Sequence, residues 1–528
     1  MKNFCTLIIL LLVTSCVSYG QVSQEWVVRY NGSPNAFPDS FILDNNGNIY
    51  VVVSTSSNTA LLKYDKKGRI IWTKNVNAIT DVFNKSITLD DSNNVYLIGR
   101  GSGGIRIFKY NPTGALMWNE VYVLTGGINF LSSIFFAASG NIYICGTYDA
   151  GGTFSGIFVL KYDRNGTFKW QMTYGSYVAC INESTIDQNE NIYMTGSEYY
   201  LSTYEDYFSI KIDSGKNIKW IGRYVGGMYD EATSVSVDKN GYVFVTGYSR
   251  GSPSNYWMRD FCTLRYDYAG DSLWTRYYNG PGNSEDIPND CVTDDSGNVY
   301  VTGWGEGNHK DYETIKYDAN GNQVWVSRYD GYAQDDYSYS ITIDRYNNLY
   351  ITGESCNQHG NGDITTIKYN QNGVQQWVQR YNSEFDSTDW GVSVLVDSSL
   401  RVYVLGWSWS SSNSDDIVLI KYSQPIGIQP ISSKVPNSYV LSQNYPNPFN
   451  PTTKIKFDLP VNVKREASNV KLIIYDILGR DVATLVNEQL KPGSYEVEWD
   501  ATNYPSGVYF YKLQTESFSE TKKMVLVK

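Results

Sequence analysis

The sequence predicts an all-β protein: an eight-bladed β-propeller closed by an N-terminal strand, followed by a small β-sandwich. Short strands rich in β-branched and aromatic residues alternate with Asp-Asn-Gly turns, and no useful helical periodicity occurs in the first 425 residues. A tryptophan also recurs every 46 to 54 residues, about the length of one four-stranded propeller blade. The repeated tryptophans are Trp26, Trp72, Trp118, Trp170, Trp220, Trp274, Trp325 and Trp377.

Each repeat is predicted to contain four strands. In one copy, NVYVTG at 298–303 and ETIKYD at 313–318 are alternating segments, and QVWVSRY at 323–329 ends the unit. SVSVD at 234–238 is typical of the opening strand. The turns between first and second strands, and between third and fourth, contain Asp, Asn and Gly, which accept the backbone angles of tight hairpins.

The tryptophan strand is out of phase with the other strands. After Lys421 and Tyr422 the chain has no tryptophan strand, whereas EWVVRY at 25–30 precedes the first complete unit. We therefore predict that Trp26–Tyr30 pairs with the strand around Ile417–Tyr422, which completes the eighth blade and closes the ring.

The N-terminus indicates export. Lys2 precedes the apolar run Leu7–Val13, which is too short to span a bilayer, and Ser18-Tyr19-Gly20 is typical of a signal-peptide cleavage site. Lipidation at Cys16 is the alternative. No other segment is apolar enough to cross a membrane. The predicted domains are a signal peptide at 1–20, the propeller at 21–423, a linker at 424–438 and the sandwich at 439–528.

Composition excludes several functions. The chain of 528 residues has a net charge of −11 and no basic cluster, so a nucleic-acid partner is not expected. Two histidines, His309 and His359, argue against histidine metal sites. We expect a monomer in which the cysteines beyond the leader are small buried residues rather than a disulfide framework: Cys145, Cys180, Cys262, Cys291 and Cys356.

Two segments resemble known families. DEATSVSVDKNGYVFVTG, at 230–247, resembles the SBBP-type β-propeller repeat of secreted bacterial proteins. The segment after residue 438, with several short strands in about 90 residues, resembles the type A C-terminal sorting domain of the type IX secretion system of Bacteroidetes-like bacteria. The matching positions include Pro446, Asn447, Pro448, Phe449, Gly507, Tyr509, Lys522 and Lys523.

The second resemblance implies an immunoglobulin-like sandwich recognised by the type IX export machinery. It also implies passage through the periplasm of a Gram-negative bacterium, and a final location outside the cell or on its surface. In that family the sorting module is often removed, and the cargo is released or attached to lipopolysaccharide.

Variable loops connect the second and third strands of the repeats, and such loops on a rigid scaffold often carry function. They mix aromatic residues with Asn, Ser and Asp, a combination that binds sugar rings or peptides. The alternative is that these loops are solvated connections that bind no ligand. The candidate ligand-binding residues are Tyr199, Tyr200, Tyr256, Trp257, Trp304, Trp407 and Trp409.

An acidic residue recurs eight positions before four of the turn aspartates: Asp230, Asp286, Asp336 and Asp389. Carboxylates grouped in this way could hold Ca²⁺ or act as acid and base. Repetition favours a structural role, in which each Asp binds backbone N–H groups of its own loop. No metal or other cofactor is expected, with Ca²⁺ as the one open candidate.

The sequence therefore indicates an exported binding protein, secreted or on the cell surface, with a glycan or protein ligand. It favours a non-enzymatic role over an enzymatic one. The alternatives are a polysaccharide hydrolase or lyase that uses loop carboxylates, and a structural surface-layer component.

Overall fold

The computed structural model describes residues 22–528 except 32–35, 56–57, 81, 83–84, 126, 150–154, 201–203, 228, 251–257, 410–414, 425–428, 433–434, 462–467 and 502–503. Every regular element in these residues is a β-strand, so the prediction of an all-β protein is confirmed. Within the same residues, no helix has the length and apolarity needed to span a membrane. The predicted signal peptide lies outside the described residues.

Residues 24–422 form one compact unit. Five of its sheets contain four consecutive strands each, in chain order. Their strands are β2 (Phe37–Leu43), β3 (Ile49–Ser54), β4 (Thr59–Tyr64) and β5 (Ile70–Val76); β6 (Ile87–Leu89), β7 (Val95–Gly101), β8 (Gly104–Tyr110) and β9 (Leu116–Tyr122); β17 (Asp230–Val237), β18 (Val243–Ser249), β19 (Asp260–Tyr266) and β20 (Ser272–Tyr278); β21 (Asp286–Thr293), β22 (Val299–Glu306), β23 (Lys310–Tyr317) and β24 (Gln323–Tyr329); and β25 (Asp336–Ile343), β26 (Leu349–Cys356), β27 (Gly362–Tyr369) and β28 (Gln375–Tyr381).

A seven-stranded sheet contains two further repeats that share one long strand. This strand, β13, has 19 residues; it is the last strand of one repeat and continues as the first strand of the next. The sheet consists of β10 (Ile128–Phe136), β11 (Asn141–Asp149), β12 (Ser155–Asp163), β13 (Phe168–Ile186), β14 (Ile192–Tyr200), β15 (Tyr204–Ile212) and β16 (Ile218–Tyr224).

The remaining sheet of this unit joins the two ends of the repeat region. Its strand order is β1-β31-β30-β29, so β1 lies beside β31. The strands are β1 (Ser23–Tyr30), β29 (Asp389–Val396), β30 (Val402–Trp409) and β31 (Asp415–Ser423). Arg29 of β1 forms an ion pair with Asp416 at 3.4 Å, and Glu25 forms one with Lys421 at 3.0 Å.

The first strands of the repeats contact one another in a closed cycle: β2, β6, β10, β13, β17, β21, β25, β29 and again β2. They therefore lie innermost, and the tryptophan strands lie outermost. This arrangement agrees with a propeller. The count of eight blades and the role of β1 as the closing strand stay predictions.

The recurring motif residues meet where one repeat packs on the next. Trp325 of β24 donates a hydrogen bond to the carbonyl of Gln371 at 3.2 Å, in the turn between β27 and β28. Lys316 donates to the same carbonyl at 3.3 Å, and its ammonium lies 4.9 Å from the centre of the Tyr300 ring. The lysine, the tyrosine and the tryptophan of the repeat therefore form one interlocked contact between units.

Glycine is required in the turn that receives Trp325. Gly373 has φ = +77°, and a Cβ placed on it would lie 2.6 Å from the Trp325 ring. Both the left-handed backbone and the approach of the indole exclude a side chain here.

The cysteines at 145, 180, 262, 291 and 356 are all free, and three of them are buried. The buried three are Cys145, Cys262 and Cys291. They pack among the apolar side chains of the middle strands, as Cys145 does beside Val159 and Ile181.

The C-terminal part, 423–528, is a sandwich of two four-stranded sheets with the orders β32-β37-β34-β33 and β36-β35-β38-β39. Its core includes Phe449, Trp499 and Tyr511. The strands are β32 (Gln429–Ser432), β33 (Val440–Leu441), β34 (Thr452–Leu459), β35 (Ser468–Tyr475), β36 (Asp481–Leu490), β37 (Gly493–Asp500), β38 (Gly507–Gln514) and β39 (Ser519–Leu526).

The segment 424–438 is predicted to be a linker, but four of its residues form a strand. Gln429–Ser432 forms β32, which pairs with β37 and extends its sheet. The extended backbone favoured around Pro430 can pair at a sheet edge without the missing N–H, which explains why a Pro-rich segment contributes a strand.

Gly373→Ala should destabilise the protein through both backbone strain and the Trp325 contact. Gly360 is the matched control, because it has φ = +82° but nothing within 4 Å of an added Cβ. We expect Gly360→Ala to cost about 1–2 kcal/mol of unfolding free energy from strain alone, and Gly373→Ala to cost about 1–3 kcal/mol more. Urea unfolding measures both, and equal losses would contradict the proposed contact.

Candidate functional site

Antiparallel strands give the repeat region two distinct ends. The Asp-Gly turns that follow the first and third strands lie at one end, here called the turn end. The links from second to third strand, and from one repeat to the next, lie at the other, here called the loop end. Four sequence-predicted aspartates and most of the predicted aromatic residues belong to the loop end.

The turn-end aspartates are engaged by their own turns. Asp294 Oδ1 accepts hydrogen bonds from the N–H groups of Ser296 at 2.9 Å and Asn298 at 3.0 Å. Its Oδ2 accepts one from the Tyr300 hydroxyl at 3.0 Å. Asp44 and Asp344 accept equivalent backbone hydrogen bonds, which is how such a side chain stabilises a hairpin turn.

The four loop-end aspartates are each fully buried at the start of an inner strand. Asp230 accepts hydrogen bonds from the N–H groups of Gly226 and Gly227. Asp336 accepts them from Gly331 at 2.7 Å and Cys356 at 3.1 Å. Asp286 and Asp389 accept them from Gly280 and Ser383. Each carboxylate thus organises the backbone of the loops around it.

Burial raises the pKa of three of these aspartates, Asp286, Asp336 and Asp389, to about 6. In two repeats a serine links the aspartate to an arginine of the outer strand. Ser355 lies opposite Asp336 in the sheet and accepts a hydrogen bond from Arg380 at 2.7 Å. Ser408 lies opposite Asp389 and accepts one from Arg29 at 2.6 Å.

The repeat formed by β21–β24 departs from this pattern. Gly305 takes the place of the serine opposite Asp286, and the Glu313 carboxyl fills the space. A Cβ on Gly305 would lie 2.4 Å from Glu313 Oε2 and 2.7 Å from Asp286 Oδ1. Glu313 Oε1 accepts a hydrogen bond from Tyr278 at 3.1 Å and lies 3.2 Å from Arg328 Nε.

Glu313 and Asp286 therefore form a close carboxyl pair in a single repeat. Burial, with the neighbouring charge of Asp286, raises the pKa of Glu313 to about 8. A carboxyl of this kind holds a proton near neutral pH. Both side chains are 0% exposed, so in this conformation the pair cannot contact a polymeric substrate.

Asp336 also lies close to two further acids, one of them in β23 of this repeat. One oxygen each of Asp311, Asp330 and Asp336 lies within 4.8 Å of the others. Asp311 also forms an ion pair with Arg328 at 2.9 Å. A divalent cation would find three oxygen ligands here, and the Ca²⁺ alternative stays a prediction.

The predicted aromatic residues have different surroundings. Tyr256 and Trp257 lie outside the described residues, as does the side chain of Tyr200. Tyr199 is half-buried opposite Glu205 at the end of β14. Trp304 is half-buried and packs against other side chains of the protein. The ammonium of Lys310 lies 4.7 Å from its ring centre, and Tyr337 packs against it with centroids 5.7 Å apart.

Trp407 and Trp409, in contrast, belong to a group of loop-end aromatic rings, here called the aromatic surface: Phe37, Trp390, Trp407 and Trp409. The ring centroids of Trp390 and Trp407 are 4.4 Å apart, and those of Phe37 and Trp407 are 6.3 Å apart. Phe37 is 47% exposed, Trp390 36% and Trp409 44%. The Trp390 side chain also hydrogen-bonds the Glu354 carboxyl, which fixes its orientation.

Sequence reasoning missed Phe37 and Trp390, although a signal was present. Trp390 directly follows Asp389, and Phe37 directly follows Ala36, the equivalent position in the first repeat. Side chains alternate along a strand, so the residue after a buried inner-strand position can face solvent, as Phe37 and Trp390 do.

The sorting-signal residues are part of the C-terminal sandwich. Phe449 is buried against Trp499, and its backbone bonds to Val525 and Val527 of the last segment. Asn447 accepts a hydrogen bond from the Val525 N–H at 3.0 Å. The carbonyl of Pro446 accepts a hydrogen bond from the Thr453 hydroxyl. The other positions belong to β38 and β39. Gly507 begins β38, and buried Tyr509 in the same strand contacts Trp499, whereas Lys522 and Lys523 of β39 pair with β38.

Comparison with known families agrees with both resemblances. A family model described as a secretion system C-terminal sorting domain matches residues 443–528. A model described as a beta-propeller repeat matches residues 273–309 and 324–359. The sorting domain marks this chain as a secreted or cell-surface protein of the type IX pathway. It therefore implies an interaction with that secretion machinery.

No curated protein matches the chain. Among solved structures, the chain is similar to a polysaccharide lyase, an ulvan lyase bound to an oligosaccharide, with 13% sequence identity and a TM-score of 0.42. The match covers 75% of this chain and 95% of the lyase chain. The chain is also similar to the β-propeller domain of the Trilobed protease from Pyrococcus furiosus, with 9% identity, 66% and 98% covered, and a TM-score of 0.39.

Glu313→Gln should change how stability depends on pH. Because the pKa of Glu313 rises from its ordinary 4.5 to about 8 on folding, the folded state binds this proton more tightly. Its contribution is fully favourable below about pH 4.5 and is lost as the pH rises to 8. The variant should gain about 1–4 kcal/mol relative to the parent between pH 5 and 8.5.

Urea unfolding at the two pH values measures this change, with exposed Glu120→Gln as the control. A difference between Glu313→Gln and the parent that stays constant with pH would show that Glu313 is ionised throughout.

Proposed function

We propose that this secreted or cell-surface protein binds carbohydrate at the aromatic surface of its loop end. The observation that supports the proposal is the contact of exposed Phe37 and Trp390 with half-buried Trp407, with exposed Trp409 two residues further along the same strand. Exposed aromatic rings held together in this way mark interaction sites more often than isolated ones do.

The chemistry of the group suits a sugar ligand. The flat faces of indole and phenyl rings stack on the C–H faces of sugar rings, and neighbouring polar groups supply hydrogen bonds. Glu354 and Trp407 hold Trp390 in one orientation before any ligand arrives, and preorganised rings lose little entropy on binding. The link between β28 and β29, which leads to Trp390, carries exposed Glu384 and Asp386, which favours a neutral glycan over a polyanion.

A protein ligand is the other expectation from the sequence, and aromatic surfaces also serve protein interfaces. A hydrolase or lyase would need carboxyls that reach the substrate, whereas Glu313 and Asp286 are fully buried. The geometry therefore supports binding without turnover best. A structural surface-layer role would leave the aromatic surface without a soluble ligand.

Trp390→Ala and Trp409→Ala should each weaken glycan binding at least tenfold, about 1.4 kcal/mol. Tyr268→Ala is the matched control, because Tyr268 is 68% exposed in a turn between β19 and β20 at the opposite end. An array of neutral and acidic oligosaccharides would identify the ligand, calorimetry would give affinities, and reducing-end assays would detect cleavage.

Equal affinities for all three variants would contradict the proposed site. Sugar release by the parent protein would favour the enzymatic alternative. Binding to proteins but to no oligosaccharide would favour a protein ligand instead.

A further inference from the structure

Charged side chains from three non-adjacent repeats meet inside the ring of inner strands. Lys85 lies two residues before β6, Glu183 lies in β13, and Asp290 lies in β21. In the cycle of inner strands, β10 lies between β6 and β13, and β17 lies between β13 and β21. Contacts among these three residues therefore cross the ring rather than follow its circumference.

Lys85 is placed to reach across the ring. It has φ = +59°, a backbone conformation that a residue other than glycine adopts at a cost. Its carbonyl accepts a hydrogen bond from the Ile134 N–H of β10 at 3.0 Å. Its ammonium forms an ion pair with the Glu183 carboxylate, 98 residues further along the chain.

The two carboxylates extend these contacts to the next inner strands. Glu183 Oε2 accepts a hydrogen bond from the Val235 N–H of β17 at 2.8 Å. Asp290 Oδ2 accepts one from the Ile341 N–H of β25 at 3.0 Å, and its Oδ1 lies 3.2 Å from the Ser234 hydroxyl. β17 and β25 are edge strands of their sheets, so the N–H groups on their unpaired sides need partners such as these.

The charges in this cluster depend on one another. Partial desolvation among the inner strands lowers the pKa of Lys85, but the carboxylate of Glu183, with smaller contributions from Asp290 and the Cys291 thiol, outweighs this effect and raises the pKa overall. Burial and the charge of Glu183 raise the pKa of Asp290 to about 7, against the opposing effect of Lys85 and two N–H groups. One ammonium thus stands among two carboxylates that would otherwise repel each other.

We propose that Lys85, Glu183 and Asp290 form an axial clamp, an electrostatic lock that joins five inner strands across the centre of the ring. Through backbone and side-chain contacts the clamp reaches β10, β13, β17, β21 and β25. It adds a radial connection to a ring that is otherwise held by contacts between neighbours. The Lys85 side chain keeps 48% of its surface open to solvent, so water screens the clamp in part.

Lys85→Met tests the clamp, because it removes the ammonium and retains the apolar stem. Lys239→Met is the matched control: Lys239 also pairs with an aspartate of another repeat, Asp295 at 3.7 Å, but both side chains are exposed, at 55% and 84%. We expect the Lys85 variant to lower the equilibrium constant for folding at least about tenfold at pH 8 and the control to change it little.

The pH dependence separates the clamp from ordinary packing. In the parent protein the pKa of Asp290 is about 7, so this carboxyl gains its charge beside Lys85 between pH 5 and pH 8; the variant has no ammonium to stabilise that charge. The loss in the Lys85 variant should therefore be several-fold larger at pH 8 than at pH 5. An equal loss at both values, or a loss no larger than that of the control, would overturn the proposal.

If Lys85→Met does not fold at pH 8, the triple variant Lys85→Met, Glu183→Gln, Asp290→Asn decides the question. It removes all three charges and keeps the side-chain volumes. Recovery of a folded protein supports the electrostatic clamp. Failure of the triple variant at both pH values would overturn it, because packing rather than charge would then be limiting.

Discussion

The repeat region depends on one contact, in which an outer-strand tryptophan lies over a glycine in a turn of the following repeat. A Cβ on these glycines would lie within about 3 Å of an indole in six turns: Gly68, Gly114, Gly166, Gly270, Gly321 and Gly373. The indole N–H of Trp72, Trp118, Trp274 and Trp325 donates to a carbonyl of the same turns. Trp26 makes the same contacts with Gly68 and the Lys66 carbonyl at 3.3 Å, so β1 behaves like any other outer strand.

This contact explains why the two ends of the repeat region differ. Six turns between third and fourth strands keep a glycine, because each of them receives a tryptophan from the preceding repeat. Loops at the loop end receive no tryptophan from a neighbouring repeat, and their sequences differ from one repeat to the next. The aromatic surface and the Glu313–Asp286 pair both lie there, each confined to one or two repeats, whereas the interlocked contacts recur around the ring.

The sequence predicted most of the fold because strand alternation and turn chemistry are local. The strands NVYVTG and QVWVSRY lie where the pattern places them, and EWVVRY forms β1 beside β31. The site was predictable only in part. Trp407 and Trp409 were identified from loop composition, but the contact of the Trp304 ring with Lys310 depends on a side chain of the neighbouring strand.

The contacts between distant repeats could not be read from sequence. Gly305 takes the place of a serine opposite Asp286, and the Glu313 carboxyl fills the space, so the pairing of Glu313 with Asp286 becomes visible only in the folded sheet. Lys85 and Asp290 are 205 residues apart and meet only because the ring brings opposite repeats together. The exception is Trp390, whose position after Asp389 matches that of Phe37 after Ala36.

The central claim is that the N-terminal strand completes the last repeat and closes the ring. Thermal unfolding of the protein lacking Gln21 to Asn31 tests it most directly. Loss of β1 removes the Trp26 contact and the ion pairs of Glu25 and Arg29, so the whole repeat region should melt at a clearly lower temperature in one transition. A melting temperature equal to that of the full chain would contradict closure by this strand.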